Sequence, residues 1–232
     1  MRELVEANNH TIEVTSFRKR LLAWGQKHFR PFPWRCTADP YRVLIAEVML
    51  HRTQASQVVP VYEQFIARYS DVATLAKAKR EELRKSLRPL GLHWRIDLMH
   101  EMASDLMVRF HGQVPQEKGE LLSLPGVSEY IASAVLCFAW NSPQPLIDTN
   151  TVRVTGRLFG LATKDSSRRN RVFRHLIATL VSPKKPKLYN YALLDLAAQL
   201  CVKRQPPDCK RCPLQRLCTE GSRSVGIQNR DA

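Results

Sequence analysis

The residue with the clearest chemical potential is Asp148, in the stretch LIDTN at positions 146–150, where a helix is predicted to begin. An aspartate there is an N-cap, which stabilises a helix by about 1 kcal/mol. The helix dipole and the first backbone amides also favour its ionised form. A fixed carboxylate can stabilise a developing positive charge or orient an attacking water. Asp148 is therefore a candidate catalytic residue, and a purely structural cap remains the alternative.

A second candidate site precedes it, at the segment LPGVS that ends at Ser128. Apolar residues recur with helical spacing on both sides, so the segment predicts a hairpin between two helices. Pro125 cannot continue the first helix, and Gly126 allows the positive φ of a tight reversal. Several backbone amides then point the same way at a helix N-terminus, which favours phosphate binding by Gly126, Val127 and Ser128. The alternative is an ordinary turn.

Glu47 is the one charge within an apolar run of the helix predicted after Asp39. Desolvation of a carboxylate is costly, and burial would raise its pKa and favour the protonated, hydrogen-bond-donating form. The alternative places Glu47 on the solvent-facing stripe with Arg42, paired with His51 or Arg52. The residues alone leave both interpretations open.

Four closely spaced cysteines near the C-terminus predict a metal site. They are separated by seven, two and five residues, with three prolines in the loop. Four thiolates bind structural zinc or a four-iron cluster equally well, so spacing does not choose between them. Two further cysteines, Cys36 and Cys137, are predicted to be ordinary thiols. The four candidate ligands are Cys201, Cys209, Cys212 and Cys218.

The elements that must position these residues are helices, and no βαβ pattern is present. Helices are predicted at 15–28, 166–181 and 188–201, among others, which makes the chain all-α. Residues 1 to 12 are predicted to be loosely ordered, and the tail after Cys218 to be flexible.

The charge balance favours a polyanionic partner. The chain has 36 Lys and Arg against 21 Asp and Glu, a net charge of +15. Such a surplus is typical of nucleic-acid binding, because each neutralised phosphate releases counterions. No apolar run reaches the roughly 20 residues of a membrane span, and no signal-peptide core is present, so a soluble cytoplasmic protein associated with the nucleoid is expected. A non-catalytic DNA-binding module would fit the same charge.

The segments LPGVSEYIASAV and LIDTNTVRV resemble the helix-hairpin-helix and aspartate signature of the endonuclease III and MutY superfamily of DNA glycosylases. The resemblance covers about Phe29 to Cys218, and DPYRVLIAEVMLHRT is most similar to the Mig-type thymine glycosylases. It implies two helical domains: a six-helix barrel with the hairpin at 32–144, and an iron-sulfur domain at 1–31 plus 145–232. The four cysteines would hold one 4Fe-4S cluster, although the family usually has six residues in the first gap.

The resemblance also implies the chemistry. Asp148, expected in a cleft between the domains, would stabilise the oxocarbenium-like transition state of N-glycosidic cleavage on a flipped nucleotide, and Glu47 would enter the base pocket. Tyr130 stands where endonuclease III has the lysine that forms a Schiff base. A phenol cannot form that imine, so a monofunctional glycosylase is expected; simple packing is the alternative role for Tyr130.

The resemblance favours thymine or uracil opposite guanine as the substrate. The expected partner is double-stranded DNA with a mismatch, and the protein is expected to be a monomer. Adenine opposite guanine or 8-oxoguanine is the alternative; against it, the chain ends soon after its cysteines, without the additional domain of MutY. The exposed-loop residues near Trp94 are expected to touch DNA, although a buried Trp94 is an alternative. The DNA contacts implied beyond the hairpin are Arg52, Gln54, His93, Trp94 and Arg153, with Arg157 on the same face.

Overall fold

The computed structural model describes residues 3–91, 93–204 and 206–226, and only the backbone of residues 93–95, 225 and 226. The chain divides into two compact units. The inserted unit is Pro31–Asn141, and the terminal unit comprises the residues up to Arg30 and those from Ser142 onwards. Apart from one two-stranded hairpin, the described elements are helices, so the predicted all-α class is confirmed.

The terminal unit opens with two strands and a helix: β1 (Leu4–Ala7), β2 (His10–Glu13) and α1 (Val14–Lys27). The inserted unit then supplies seven α-helices within its described residues: α2 (Pro40–Leu50), α3 (Ala55–Arg68), α4 (Val72–Ala76), α5 (Arg80–Leu87), α6 (His93–Phe110), α7 (Lys118–Leu122) and α8 (Glu129–Trp140). The chain returns to the terminal unit with α9 (Thr149–Phe159), α10 (Arg171–Leu180), α11 (Pro186–Gln199) and α12 (Thr219–Gly226). Short 3-10 turns occupy Pro33–Arg35, Arg88–Leu90, Asp165–Arg169 and Gln215–Leu217.

Helix α2 forms the centre of the inserted unit with α8. The Asp39 side chain caps α2 by accepting from the amides of Tyr41 (2.9 Å) and Arg42 (3.3 Å), and Pro40 occupies the first turn, where no amide is needed. Seven consecutive residues of α2, from Val43 to Met49, are buried. Helix α8 is buried in the same way from Ile131 to Phe138 and packs against α2, so the central parts of both helices form a core without a solvent-facing stripe.

The terminal unit is centred on the packing of α1 against α11. The two backbones approach closely at Gly25, where an added Cβ would lie 2.3 Å from the Cβ of Ala192. A glycine is therefore required at this crossing. Around it, Phe17, Leu21 and Tyr189 are almost fully buried in a core to which α9 and α10 also contribute.

The N-terminal segment differs from its prediction, because residues 4–13 form a hairpin rather than a loose chain. Strands β1 and β2 pair antiparallel, with Ala7 opposite His10. Asn8 and Asn9 make the turn with φ of 53° and 57°, the left-handed conformation of a two-residue hairpin loop. The Asn8 side chain then donates to the carbonyls of Phe159 (3.3 Å) and Gly160 (3.0 Å). The hairpin is thus bonded to a part of the chain about 150 residues away.

Two other predicted segments need correction, one helix and the C-terminal tail. The helix predicted at 166–181 is a 3-10 turn at Asp165–Arg169 followed by α10, because the Asn170 side chain accepts from the Val172 amide (2.8 Å) and starts a new helix. The tail predicted to be flexible is helical from Thr219 to Gly226, and residues 227–232 lie outside the described residues. Within the described part of the chain, no helix has the length and apolar character needed to cross a membrane.

Candidate functional site

Asp148 is the N-cap of α9, and its carboxylate is held by three donors. Oδ1 accepts from the amides of Asn150 (2.9 Å) and Thr151 (2.7 Å), and Oδ2 accepts from the Asn150 side chain (2.7 Å). The Thr151 hydroxyl accepts in return from the Asp148 amide (3.0 Å), which completes a capping box. The carboxylate is half-buried, and these bonds fix its orientation.

A chain of hydrogen bonds runs from this carboxylate to the cysteine loop. The guanidinium of Arg153 donates to Oδ1 of Asn150 (3.0 Å), to the carbonyl of Cys201 (2.9 Å) and to the carbonyl of Ala197 (2.9 Å). Partial burial lowers the pKa of Arg153 from its ordinary value. Asn150, which the sequence analysis did not single out, therefore links Asp148 to Arg153 at helical spacing.

Arg153 thus has an internal role that differs from the predicted one. Three of its five N–H groups are donated within the terminal unit, where they hold α9 against the end of α11. Direct contact between Arg153 and DNA stays a prediction. Arg157 also turns towards the cysteine loop, donating to the Val202 carbonyl (2.8 Å).

The hairpin of the inserted unit has the predicted local geometry. Gly126 has a φ of 78°, and the Ser128 hydroxyl caps α8 by accepting from the Ile131 amide (3.3 Å). The Val127 side chain is buried and its amide donates to the Leu124 carbonyl (3.2 Å), so Val127 holds the turn. Within the described residues, no hydrogen bond uses the amides of Gly126 and Ser128, and both residues are exposed. Two amides at the N-terminal end of α8 are therefore available to an anion.

A cavity of about 180 Å³ lies beside this hairpin. Its wall is mainly aliphatic and thioether side chains, with His51 and Ser128 as the polar groups. Glu47 does not line the cavity but immediately precedes Val48, which does. Glu47 is only 5% exposed, which places it in the interior of the unit and not on the solvent-facing stripe. The lining residues are Val48, His51, Leu98, Met99, Met102, Pro125, Gly126, Ser128 and Ile131.

The other predicted site residues of the inserted unit lie in three places. Tyr130 is half-buried in the first turn of α8. Arg52 and Gln54 are exposed in the turn between α2 and α3. The backbone φ of Arg52 is 62°, a value that residues other than glycine rarely adopt. His93 begins α6 and Trp94 follows it, but the side chains of both lie outside the described residues.

The four cysteines of the terminal unit are free thiols, two of them buried and two half-buried. Arg157 contacts two of them: its guanidinium donates to Sγ of Cys201 (3.3 Å), and its carbonyl accepts from the Cys218 thiol (3.3 Å). Burial raises the pKa of Cys212 to about 12 and that of Cys218 to about 11. These thiols would become thiolates only with a positively charged partner.

The donor set around these sulfurs suits metal-bound thiolates. Besides the Arg157 guanidinium, the Leu214 amide donates to Cys212, and the Glu220 and Gly221 amides donate to Cys218. Hydrogen bonds of this kind stabilise sulfur ligands in iron-sulfur sites. Among the residues that the structure describes, no three cysteine, histidine or carboxylate side chains are arranged to hold a single metal ion.

Comparison with known proteins identifies the family. The sequence profile described as "HhH-GPD superfamily base excision DNA repair protein" matches residues 45–178, more than half of the chain. The chain belongs to the HhH-GPD superfamily of base excision DNA repair proteins. Its predicted resemblance to helix-hairpin-helix glycosylases is therefore confirmed.

Several curated relatives and one solved structure are similar to most of the chain. The chain is 40% identical to a thymine-DNA glycosylase of Aeropyrum pernix, over 88% of this chain and 94% of that protein. It is 38% identical to a thymine/uracil-DNA glycosylase of Pyrobaculum aerophilum, over 88% and 90%. An adenine DNA glycosylase of Rattus norvegicus is 31% identical, but only 42% of its length is matched. Among solved structures, a thermostable thymine-DNA glycosylase superposes with a TM-score of 0.82 at 32% identity, covering 90% of this chain and 97% of that one.

Proposed function

We propose that this protein is a monofunctional DNA glycosylase that removes thymine or uracil opposite guanine from duplex DNA. The observation that carries the proposal is its match to thymine and thymine/uracil glycosylases along nearly their whole length. The match to an adenine glycosylase is more distant, at 31% identity against 40%, which disfavours the adenine alternative.

In the proposed mechanism the target nucleotide leaves the base stack, since the glycosidic bond is inaccessible inside a duplex. The free amides of Gly126 and Ser128 bind a backbone phosphate at the start of α8. The carboxylate of Asp148 stabilises the positive charge that develops on the sugar and orients the attacking water. Glu47 accepts a hydrogen bond from N3–H of the pyrimidine, and Tyr130 positions the sugar.

The deciding experiment compares Asp148→Asn with Asp71→Asn, a matched control within the same chain. Asp71 is also the N-cap of a capping box with a threonine, at the start of α4. Asparagine caps a helix as well as aspartate does, so both variants should fold. We expect Asp148→Asn to lower the rate of base release from T:G duplexes by about 10²–10³-fold, with duplex binding retained, and Asp71→Asn to change neither.

A wild-type protein that binds duplexes but releases no base would establish a non-catalytic DNA-binding module instead. The same assay offers U:G, A:G and A:8-oxoguanine duplexes followed by alkali. Preferential breakage of the adenine strand would overturn the assignment of substrate.

The absence of lyase activity is tested at Tyr130. We expect borohydride to trap no covalent complex between the wild-type protein and DNA, because a phenol forms no Schiff base. Tyr130→Lys should yield a trapped complex, and Tyr130→Phe should not. Trapping of the wild-type protein would refute this part of the proposal.

We further propose that Cys201, Cys209, Cys212 and Cys218 hold one 4Fe-4S cluster, with the terminal unit as the cluster domain and the inserted unit as the helical barrel domain. The buried thiols and their N–H donors support it. The cluster would stabilise the fold of the loop, since ligands that bind only the folded state stabilise it. Four iron and four sulfide per chain are expected on analysis; one zinc ion per chain would show the alternative. We also propose that the protein acts as a monomer on chromosomal DNA inside the cell.

A further inference from the structure

A groove of about 310 Å³ lies on the terminal unit, along the outer face of α1. None of its residues belongs to the proposed catalytic machinery or to the hairpin. One end reaches the cysteine loop at Pro213, the residue after Cys212. The groove is lined by Arg20, Ala23, Trp24, Lys27, His28 and Pro213.

The packing of α1 determines which side chains face this groove. Gly25 faces α11 at the close crossing with Ala192, so the opposite side of α1 is turned outward. Arg20 and Lys27 lie on that outer side, and both are exposed. Within the described residues neither makes an ion pair with an acidic side chain, and no acidic residue lines the groove. The two cations therefore create an uncompensated positive field.

The groove also contains a fixed aromatic surface. The rings of Trp24 and His28 stack with centroids 4.6 Å apart and an interplanar angle of 8°. Trp24 is buried, whereas His28 is exposed. Nδ1 of His28 is bonded to the Trp24 carbonyl (2.9 Å), and the His28 carbonyl accepts from the Gln199 side chain (3.1 Å). The imidazole is thus held in place with a face towards solvent, and exposed aromatic faces stack nucleobases.

We propose that this groove binds a nucleotide unit, with the base stacked on His28 and the phosphate between Arg20 and Lys27. Two cations beside an aromatic plane are the combination used to bind single-stranded nucleic acid without reading its sequence. The same chemistry would fit a free nucleotide or one residue of a DNA strand. The groove is a second nucleic-acid site, separate from the proposed reaction at Asp148.

The test uses cytidine probes, because cytosine is not a base that the proposed reaction removes. Binding of CMP, of inorganic phosphate and of a fluorescein-labelled single strand of six deoxycytidines is measured on the whole protein by calorimetry and anisotropy. We expect Arg20→Ala with Lys27→Ala to weaken binding of the strand at least about tenfold. The matched control, Arg168→Ala with Arg171→Ala, removes the same charge from two exposed residues, one in the 3-10 turn before α10 and one at the start of α10. It should change strand affinity less than about twofold.

His28→Ala separates stacking from charge. It should abolish the preference for CMP over inorganic phosphate and leave phosphate binding unchanged. If CMP saturates one site per chain, a free nucleotide is sufficient to occupy the groove. If only the strand binds and CMP does not, the occupant is DNA. Equal losses in the two double variants, or no binding of any probe by the wild-type protein, would overturn the proposal.

Base release from T:G duplexes is followed in the same proteins. The groove variants should retain the wild-type single-turnover rate at saturating enzyme. Because the probes bind without base release, failure of the glycosylase proposal would leave the result for the groove interpretable.

Discussion

At the scale of single residues, Asp71 and Asp148 make the same capping box in different surroundings. The Asp71 carboxylate is exposed, and the Thr74 amide lowers its pKa. The Asp148 carboxylate is half-buried and receives a third bond from the Asn150 side chain. Asp71 accepts a comparable bond from the Ser70 hydroxyl (3.1 Å), so the number of bonds does not separate the two carboxylates. They differ in burial and in the continuation from Asn150 to Arg153, which Asp71 lacks within the described residues.

Arg153 joins Asn150 to the Cys201 carbonyl by hydrogen bonds, and we predict that lysine cannot replace it. An ammonium group on one stem cannot reach the Asn150, Ala197 and Cys201 oxygens in the planar arrangement that the guanidinium uses. Losing two such bonds should lower the free energy of unfolding by about 3 kcal/mol, measured by urea denaturation. The rate of base release should fall more than duplex affinity, because Asp148 loses its orientation. An unchanged rate in a stably folded Arg153→Lys variant would contradict this link.

We predict that Arg52 lowers the stability of the fold while it contributes to DNA binding. Its φ of 62° is strained for any residue with a Cβ, so Arg52→Gly should raise the free energy of unfolding by about 1 kcal/mol. Strain of this kind is retained at functional sites, and the variant should bind mismatched duplex more weakly. Thermal unfolding and anisotropy measure the two effects. Stabilisation without weaker binding would remove Arg52 from the DNA interface.

At the scale of elements, the crossing of α1 and α11 depends on Gly25. An alanine Cβ would lie 2.3 Å from the Cβ of Ala192, so Gly25→Ala should lower the free energy of unfolding by about 1–3 kcal/mol despite alanine's better helix propensity. Gly119→Ala is the control, because its new Cβ meets no atom within 4 Å, and it should be neutral or stabilising. Destabilisation of equal size in both would point to backbone conformation and not to the helix crossing.

The elements also show what the sequence could predict. Helical spacing predicted α1, α2 and α8, and turn chemistry predicted the conformations of Gly126 and Ser128, because these depend on neighbouring residues. The hairpin β1–β2 was missed because its strands have four residues each and its bonds to Gly160 are distant in sequence. The inward role of Arg153 was missed for the same reason, since its partners lie on another helix.

At the scale of the whole molecule, the net charge of +15 predicts strong salt dependence of DNA binding. Counterion release should weaken affinity for any duplex at least about 100-fold between 50 and 200 mM salt. The single-turnover rate at saturating enzyme should stay nearly constant, because in the proposed mechanism the fixed carboxylate of Asp148 stabilises the oxocarbenium charge. Affinity that is insensitive to salt would contradict a phosphate-dominated interface.

The terminal unit is built from both ends of the chain, with the inserted unit between them. During synthesis on the ribosome, residues 31–141 can therefore complete their fold while α1 still lacks its partner α11. The β1–β2 hairpin completes its contacts later still, because the His10 side chain bonds to the carbonyl of Leu217 (2.8 Å), the residue before Cys218. A nascent chain halted before Cys218 should thus present a folded inserted unit and an incomplete terminal one, so the proposed cluster could be inserted only at the end of translation.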